Sequence, residues 1–240
     1  MEEVCTTSHR GPTERQSQEY LCQVIATGDT ILQAFRRDED QLMHVMDTIP
    51  NGKFNKIADV GCGTGEYLWH VVSLNPEAEA IGYNLYNCQA QLGKGAGLDI
   101  RVLDILNEEI EEKNFDLVLC NYTLGYFYPE ERLRVMRKLH GMLRPGGRLS
   151  IYDIAPRTML SSTIFDYSLV TPREMYRDIR SVFGNKARIR HTAFTDYQAS
   201  LAKNIEQVAS KQQLDMFKKY ARPVHYIVSK PTEKELHGHG

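Results

Sequence analysis

Residues 57–65 read IADVGCGTG, an apolar run that passes through Asp59 and then places glycines at alternate positions, Gly61, Gly63 and Gly65. Glycine lets a backbone turn with positive φ and admits a ligand where a Cβ would stand. Residues 66–74 read as a helix whose first N–H groups point into that turn. Strand, glycine turn and helix make the first βα unit of a nucleotide-binding α/β fold. Glu66 stands where the third glycine of a dinucleotide fingerprint belongs, so the loop is not built for a pyrophosphate. The plainer reading of these residues is a tight turn that packs a helix onto a sheet.

Further candidates stand where later strands should end: Asn84 and Leu85, Asp104 and Ile105, then Asn121. Ligands of open parallel sheets bind beyond those carboxyl ends. Asp104 also fits a helix N-cap, and Asn121 a strand-end turn. Tyr122, Thr123, Tyr126, Phe127 and Tyr128 follow. Their rings either line a site that develops positive charge or bury surface where a loop packs down.

The elements that must position these groups alternate. Residues 20–49 have helical periodicity, with Asp38 able to cap a second helix. Strands are predicted from Lys56, over 80–84, 100–103, 115–121 and 148–152. Helices are predicted at 66–74, around Gln89 and over 130–143, the last closed by Pro145-Gly146-Gly147. Such alternation implies a mostly parallel sheet with right-handed crossovers. Residues 157–170 read as a loop or short helix, and 172–183 as a helix opened by Thr171-Pro172. A strand over 186–194, a polar helix over 196–220 and an alternating strand over 224–229 complete the chain. The expected domains are a flexible tail (1–16), one domain (17–230) and a C-terminal tail (231–240). Within the domain lie N-terminal helices (17–50), a core (56–154) and a substrate-side cap and insertion (155–222).

The pattern apolar-x-Asp-x-Gly-x-Gly-x-Gly resembles motif I of the class I S-adenosylmethionine (SAM) methyltransferases, and Leu-Arg-Pro-Gly-Gly at 143–147 resembles another of their recurrent segments. The resemblance covers roughly 56–154 and implies a Rossmann-like, seven-stranded sheet with helices on both faces and an N-terminal helical cap. It also implies roles. The loop holds the amino-acid end of SAM, the residue after the second strand contacts the ribose, and Asp104 accepts from the adenine amino group. Most such enzymes carry an acid where this chain has Asn84. The segment 82–90, Gly-Tyr-Asn-Leu-Tyr-Asn-Cys-Gln-Ala, is similar to that of carbon-methylating enzymes (cyclopropane fatty acid synthases, sterol and prenyl diphosphate C-methyltransferases), in which the residue at Gln89 helps hold the ribose. Some alkaloid N-methyltransferases share it. The prenyl diphosphate enzymes place a Glu where Thr123 stands, which leaves the proton acceptor open among His191, Asp153 and Tyr126; Glu130 and Glu131 fit a helix first turn.

With 240 residues, 42% apolar, 25% charged and net charge −2, the chain reads as one soluble α/β domain and not as a general nucleic-acid binder. It has no basic extension and no run long enough for a membrane span. Its polar N-terminus lacks a signal-peptide core. Five scattered cysteines without a C-x-x-C pair suit a reducing, cytoplasmic setting and no metal site.

Residues 157–191 hold six arginines and Lys186 against Asp166, Glu174 and Asp178. Arg173, Arg177, Arg180 and Arg188 are therefore candidates for a substrate anion, against the plainer reading of a solvated charged face. The expected activity is SAM-dependent methylation of a small molecule. The favoured form is C-methylation of a prenyl diphosphate alkene, with possible Mg2+ carried by the diphosphate and with cyclisation as an option. An N- or O-methyltransferase and a non-catalytic SAM-binding protein stay open. The oligomeric state is not legible.

Overall fold

The computed structural model describes residues 53–157, 162–164, 167–193, 215 and 219–237. The expected N-terminal helices, most of the 196–220 helix and the 1–16 tail lie outside these. In chain order the described elements begin with β1 (Lys56–Val60), α1 (Glu66–Leu74), β2 (Glu79–Asn84), α2 (Asn87–Gly95), β3 (Ile100–Val102) and β4 (Phe115–Asn121). A 3₁₀ turn (Leu124–Tyr126), α3 (Pro129–Met142), β5 (Leu143–Pro156), β6 (Ser162–Ile164) and β7 (Tyr167–Leu169) follow. α4 (Pro172–Phe183), β8 (Arg188–Ala193), β9 (Ala221–Ser229) and α5 (Glu233–His237) complete the set.

Seven strands form one sheet in the order β3-β2-β1-β4-β5-β9-β8. The β1–β2, β1–β4, β2–β3 and β4–β5 pairs are parallel, while β9 runs antiparallel to both β5 and β8. The order reverses between β1 and β4, and the crevice at such a point is where open α/β sheets bind ligands. β4 sits at the centre and every one of its residues is buried, which is why its middle, residues 117–120, is continuously apolar instead of alternating. One face of the sheet packs on α3 and α4 through Val135, Leu139, Met175 and Ile179. The other packs on α1 through Leu68 and Val71.

Local chemistry sets the helix starts. Thr171 Oγ1 accepts the Glu174 N–H (3.2 Å) and Glu174 Oε2 accepts the Thr171 N–H (3.2 Å), a capping box ahead of Pro172. Glu131 Oε2 likewise accepts the Tyr128 N–H (3.0 Å) before Pro129.

Several expectations need correction. β5 begins at Leu143, and Pro145-Gly146-Gly147 is a bulge within it: the register slips between Phe115↔Leu143 and Leu117↔Arg148. Residues 162–164 and 167–169 pair as a small antiparallel hairpin, neither loop nor helix. β9 does not alternate, because it lies between two strands and is covered on both faces. The expected C-terminal tail contains α5.

Candidate functional site

The crevice at the β1/β4 reversal opens into a cavity of about 360 Å³. Its floor is the loop after β1. The Gly61 and Cys62 N–H groups both donate to the Tyr83 carbonyl (2.8 and 3.1 Å), so β2 anchors the turn. Gly61, Gly63 and Gly65 have φ of +75°, +58° and +88°, in the left-handed region. A Cβ on Gly61 would stand 2.2 Å from Thr123 Oγ1, whereas one on Gly63 would meet nothing nearer than Gln89 Oε1 at 3.7 Å. Gly61 is thus needed for packing, and Gly63 faces open cavity.

Asn84 ties the wall together. Its Oδ1 accepts the Gly63 N–H (3.1 Å), and its Nδ2 donates to Gln89 Oε1 (2.9 Å) and to the Tyr86 carbonyl (3.1 Å). Asp104 accepts the Leu106 N–H (3.0 Å) and an Asn107 Nδ2 hydrogen bond (2.8 Å), closing a turn while it lines the cavity beside Ile105. No helix follows Asp104, so it caps a turn and not the expected helix, and it lines the cavity as well. Asn121 Oδ1 accepts the Tyr152 N–H (3.2 Å) and its Nδ2 is buried without a partner.

Asp59 is 1% exposed, and its Oδ1 has no hydrogen-bond partner. Burial pushes its pKa from 3.8 to about 7. Glu66 and Asp104 add further acids, while among the described residues no Lys, Arg or His lines the cavity. Among the described residues no three His, Cys, Asp or Glu side chains converge to hold a metal ion. An acid-lined pocket with an orphaned carboxylate oxygen, an open glycine position and a polar bracket after β2 fits a cationic nucleoside such as SAM.

Beyond the loop the wall turns aromatic. Tyr122, at φ +49°, donates its N–H to the Tyr152 carbonyl (2.7 Å). Its ring meets Tyr152 edge-on (5.1 Å, 78°) and Tyr67 obliquely (6.5 Å, 56°). Burial, with Tyr86 and Asp153 nearby, pushes the Tyr126 phenol up to about 12. Thr123 donates to the Asn121 carbonyl (2.8 Å) beneath Gly61.

The structure thus gathers Asp59, Gly61, Gly63, Asn84, Leu85, Gln89, Asp104, Ile105 and Asn121 around one cavity, together with Tyr122, Thr123 and Tyr126. Gly65 is not on its surface; it starts α1. Of the three proton-acceptor candidates only Tyr126 lines the cavity. The arginine group does not reach it. Arg180 donates to the carbonyls of Gly184, Asn185 and Ala187, Arg188 pairs with Glu235, Arg177 lies against Asp178, and Arg173 is not on the wall. Neither Tyr67 nor Glu66 was expected as a cavity residue from the sequence, although both stand in the first turn of a helix that follows a glycine loop, and both line the cavity.

Residues 58–149 match the family described as methyltransferase domain. The probable tRNA methyltransferase 9B of Mus musculus is 30% identical over 97 residues, 40% of this chain and 21% of that protein. A carboxy-S-adenosyl-L-methionine synthase of Campylobacter hominis is 32% identical over 132 residues, 50% of this chain and 55% of the other. The chain therefore spans about a fifth to about half the length of these relatives. Among solved structures, geranyl diphosphate C-methyltransferase of Streptomyces coelicolor, in complex with Mg2+, geranyl diphosphate and S-adenosyl-L-homocysteine, superposes with TM-score 0.67 at 15% identity over 81% of this chain and 78% of that one. The fold is that of the class I methyltransferases, and residues 58–149 match the methyltransferase-domain family over less than half of the chain.

Proposed function

We propose that the chain is a SAM-dependent methyltransferase of a small molecule, and that it methylates an alkene carbon of an isoprenoid such as a prenyl diphosphate. The observation that carries the cofactor assignment is the glycine loop bracketed by Asn84 and Gln89 above the orphaned Asp59 carboxylate. SAM, when bound, supplies an electrophilic methyl group on a sulfonium centre. Asp59, Gly61 and Gly63 would hold its amino-acid end, Asn84 and Gln89 its ribose, and Asp104 and Ile105 its adenine.

The chain's own task is alignment and exclusion of water. Tyr67, Tyr122 and Tyr126 would form the wall around the reacting carbon, their π faces favouring the positive charge left on an alkene after methylation. A heteroatom acceptor usually needs a general base; among the described residues the cavity wall offers carboxylates but no imidazole or amine, which supports the carbon reading. Mg2+ would enter only with a diphosphate. The tRNA methyltransferase relative supports a second reading, a nucleic-acid acceptor.

The test is mass spectrometry of reactions with SAM and prenyl diphosphates of several lengths, beside amines, phenols, carboxylic acids and tRNA. A prenyl product heavier by one CH₂ supports the carbon reading, and its ring count reports cyclisation. Turnover on heteroatom acceptors or tRNA alone would replace it.

A further inference from the structure

The wall after β2 fixes the direction of two side-chain amides. Asn84 ends β2 and is buried. Its Oδ1 accepts the Gly63 N–H (3.1 Å) and its Nδ2 donates to the Tyr86 carbonyl (3.1 Å). A backbone N–H can only donate and a carbonyl can only accept, so the Asn84 amide has one orientation. Its Nδ2 also donates to Gln89 Oε1 (2.9 Å). That contact needs an acceptor, so the Gln89 amide has one orientation too.

The consequence reaches the cavity. Both hydrogens of Asn84 Nδ2 are engaged within the wall, and its oxygen is committed to the glycine loop. Gln89 stands in the first turn of α2 and lines the cavity close above Gly63. With Oε1 turned to Asn84, its Nε2 amine is the group left for a ligand, and among the described residues nothing accepts from it. That amine can only donate. A carboxylate at position 84 would do the reverse. It would accept the Gly63 N–H, turn the Gln89 amide over and present oxygens to the cavity.

We propose that Asn84 is a positioning residue that turns Gln89 so that the site donates to the ribose oxygens and reads them as acceptors. This rests on the cofactor reading, within which it narrows the ribose contact to Gln89. It also sets a specificity. An adenosyl cofactor whose ribose oxygen is alkylated loses a donor that the site does not read, and keeps the acceptor that it does. An edge built from an acid would meet that ether oxygen with another oxygen, and neither would have a hydrogen to share.

The test is calorimetric, with S-adenosylhomocysteine and its 2′-O-methyl and 3′-O-methyl ribose ethers. The ratio of ether to parent affinity is read for each protein, so that the bulk of the added methyl cancels between proteins. The wild type should bind at least one ether. Asn84→Asp and Gln89→Glu both make the edge accept, and free hydroxyls can turn to donate to it, so both should bind the parent. That ether should lose about tenfold more affinity relative to the parent in these variants than in the wild type, a factor equivalent to about 1.4 kcal/mol. Gln89→Glu keeps an acceptor for Asn84 Nδ2, so it reads the polarity even where Asn84→Asp fails to fold. A merely structural Asn84 would weaken parent and ethers alike. Rejection of both ethers by the wild type, equal ratios in the wild type and a folded variant, or loss of the parent by both folded variants overturns the proposal and leaves the cofactor assignment intact. Failure of S-adenosylhomocysteine to bind the wild type removes both.

Discussion

Asp59 is the residue whose environment makes the sharpest claim. In the free protein burial holds its pKa at about 7 instead of 3.8. The raised value means that folding favours the proton. This contribution is fully present below the unfolded value near pH 4 and is lost as pH rises through about 7, at about 1.4 kcal/mol per pH unit. Urea unfolding of the free protein across that window should show the slope, and Asp59→Asn should abolish it. A cationic ligand reverses the preference, so SAM should bind more tightly as pH rises towards 7 and should release a proton, read by calorimetry in buffers of different ionisation enthalpy. The glycines separate packing from binding. Gly61→Ala drives a Cβ into Thr123 and should lower stability most, whereas Gly63→Val, strained by its φ of +58° but clear of neighbouring atoms, should cost less stability and abolish SAM binding. Asn84→Asp keeps an acceptor for the Gly63 N–H and allows the Gln89 amide to turn and donate. SAM affinity should hold or rise by about 1 kcal/mol in a calorimetric titration. These residues were legible because strand-end position and residue type coincide in them. Tyr67 and Tyr152 were not, since only the fold brings them to Tyr122.

Helices α3 and α4 are locked to one another by a buried ion pair. Asp178 Oδ2 accepts from Arg132 Nε (3.0 Å) and Nη2 (2.8 Å), with both side chains 4% exposed. Removing one partner strands the other charge in the core, so Asp178→Ala should cost about 3–5 kcal/mol in urea denaturation. The paired change Arg132→Met with Asp178→Leu should be close to neutral, because it removes both desolvated charges. The helices themselves were readable from their punctuation: Thr171-Pro172 and the glycine loop fix the starts of α4 and α1 to the residue. Strand limits were harder. The Pro-Gly-Gly run that reads as a break is a bulge, which the chain accommodates by slipping register against β4. The arginines of α4 looked available because sequence shows their charge but not their partners. Arg180 is occupied in closing its own helix.

At the scale of the molecule, alternation of strands and helices announced the parallel half of the sheet but not its closure. β9, late in the chain, enters between β5 and β8, pairing over Ala221–Ser229 with the first and 188–193 with the second. Its buried Val224, Tyr226 and Val228 complete the core under α3 and α4. Without β9, β5 would present an open, apolar edge that invites association with other chains. A chain ending at Tyr220 should therefore lose cooperative unfolding and SAM binding. A chain ending at Lys230 keeps the ammonium that donates to the carbonyls of His140 (3.0 Å) and Leu143 (2.7 Å), and loses α5 with its exposed Arg188–Glu235 pair and the exposed Lys186 hydrogen bonds to the Glu235 and Leu236 carbonyls. Its unfolding should stay cooperative and its SAM affinity within a factor of about two, since exposed pairs contribute little. Circular dichroism melts and calorimetry on the two chains decide the matter. If the chain ending at Tyr220 still bound SAM, the cofactor cavity would be shown to fold without the antiparallel edge. The antiparallel strands β8 and β9 would then be an addition to a self-sufficient 56–156 core.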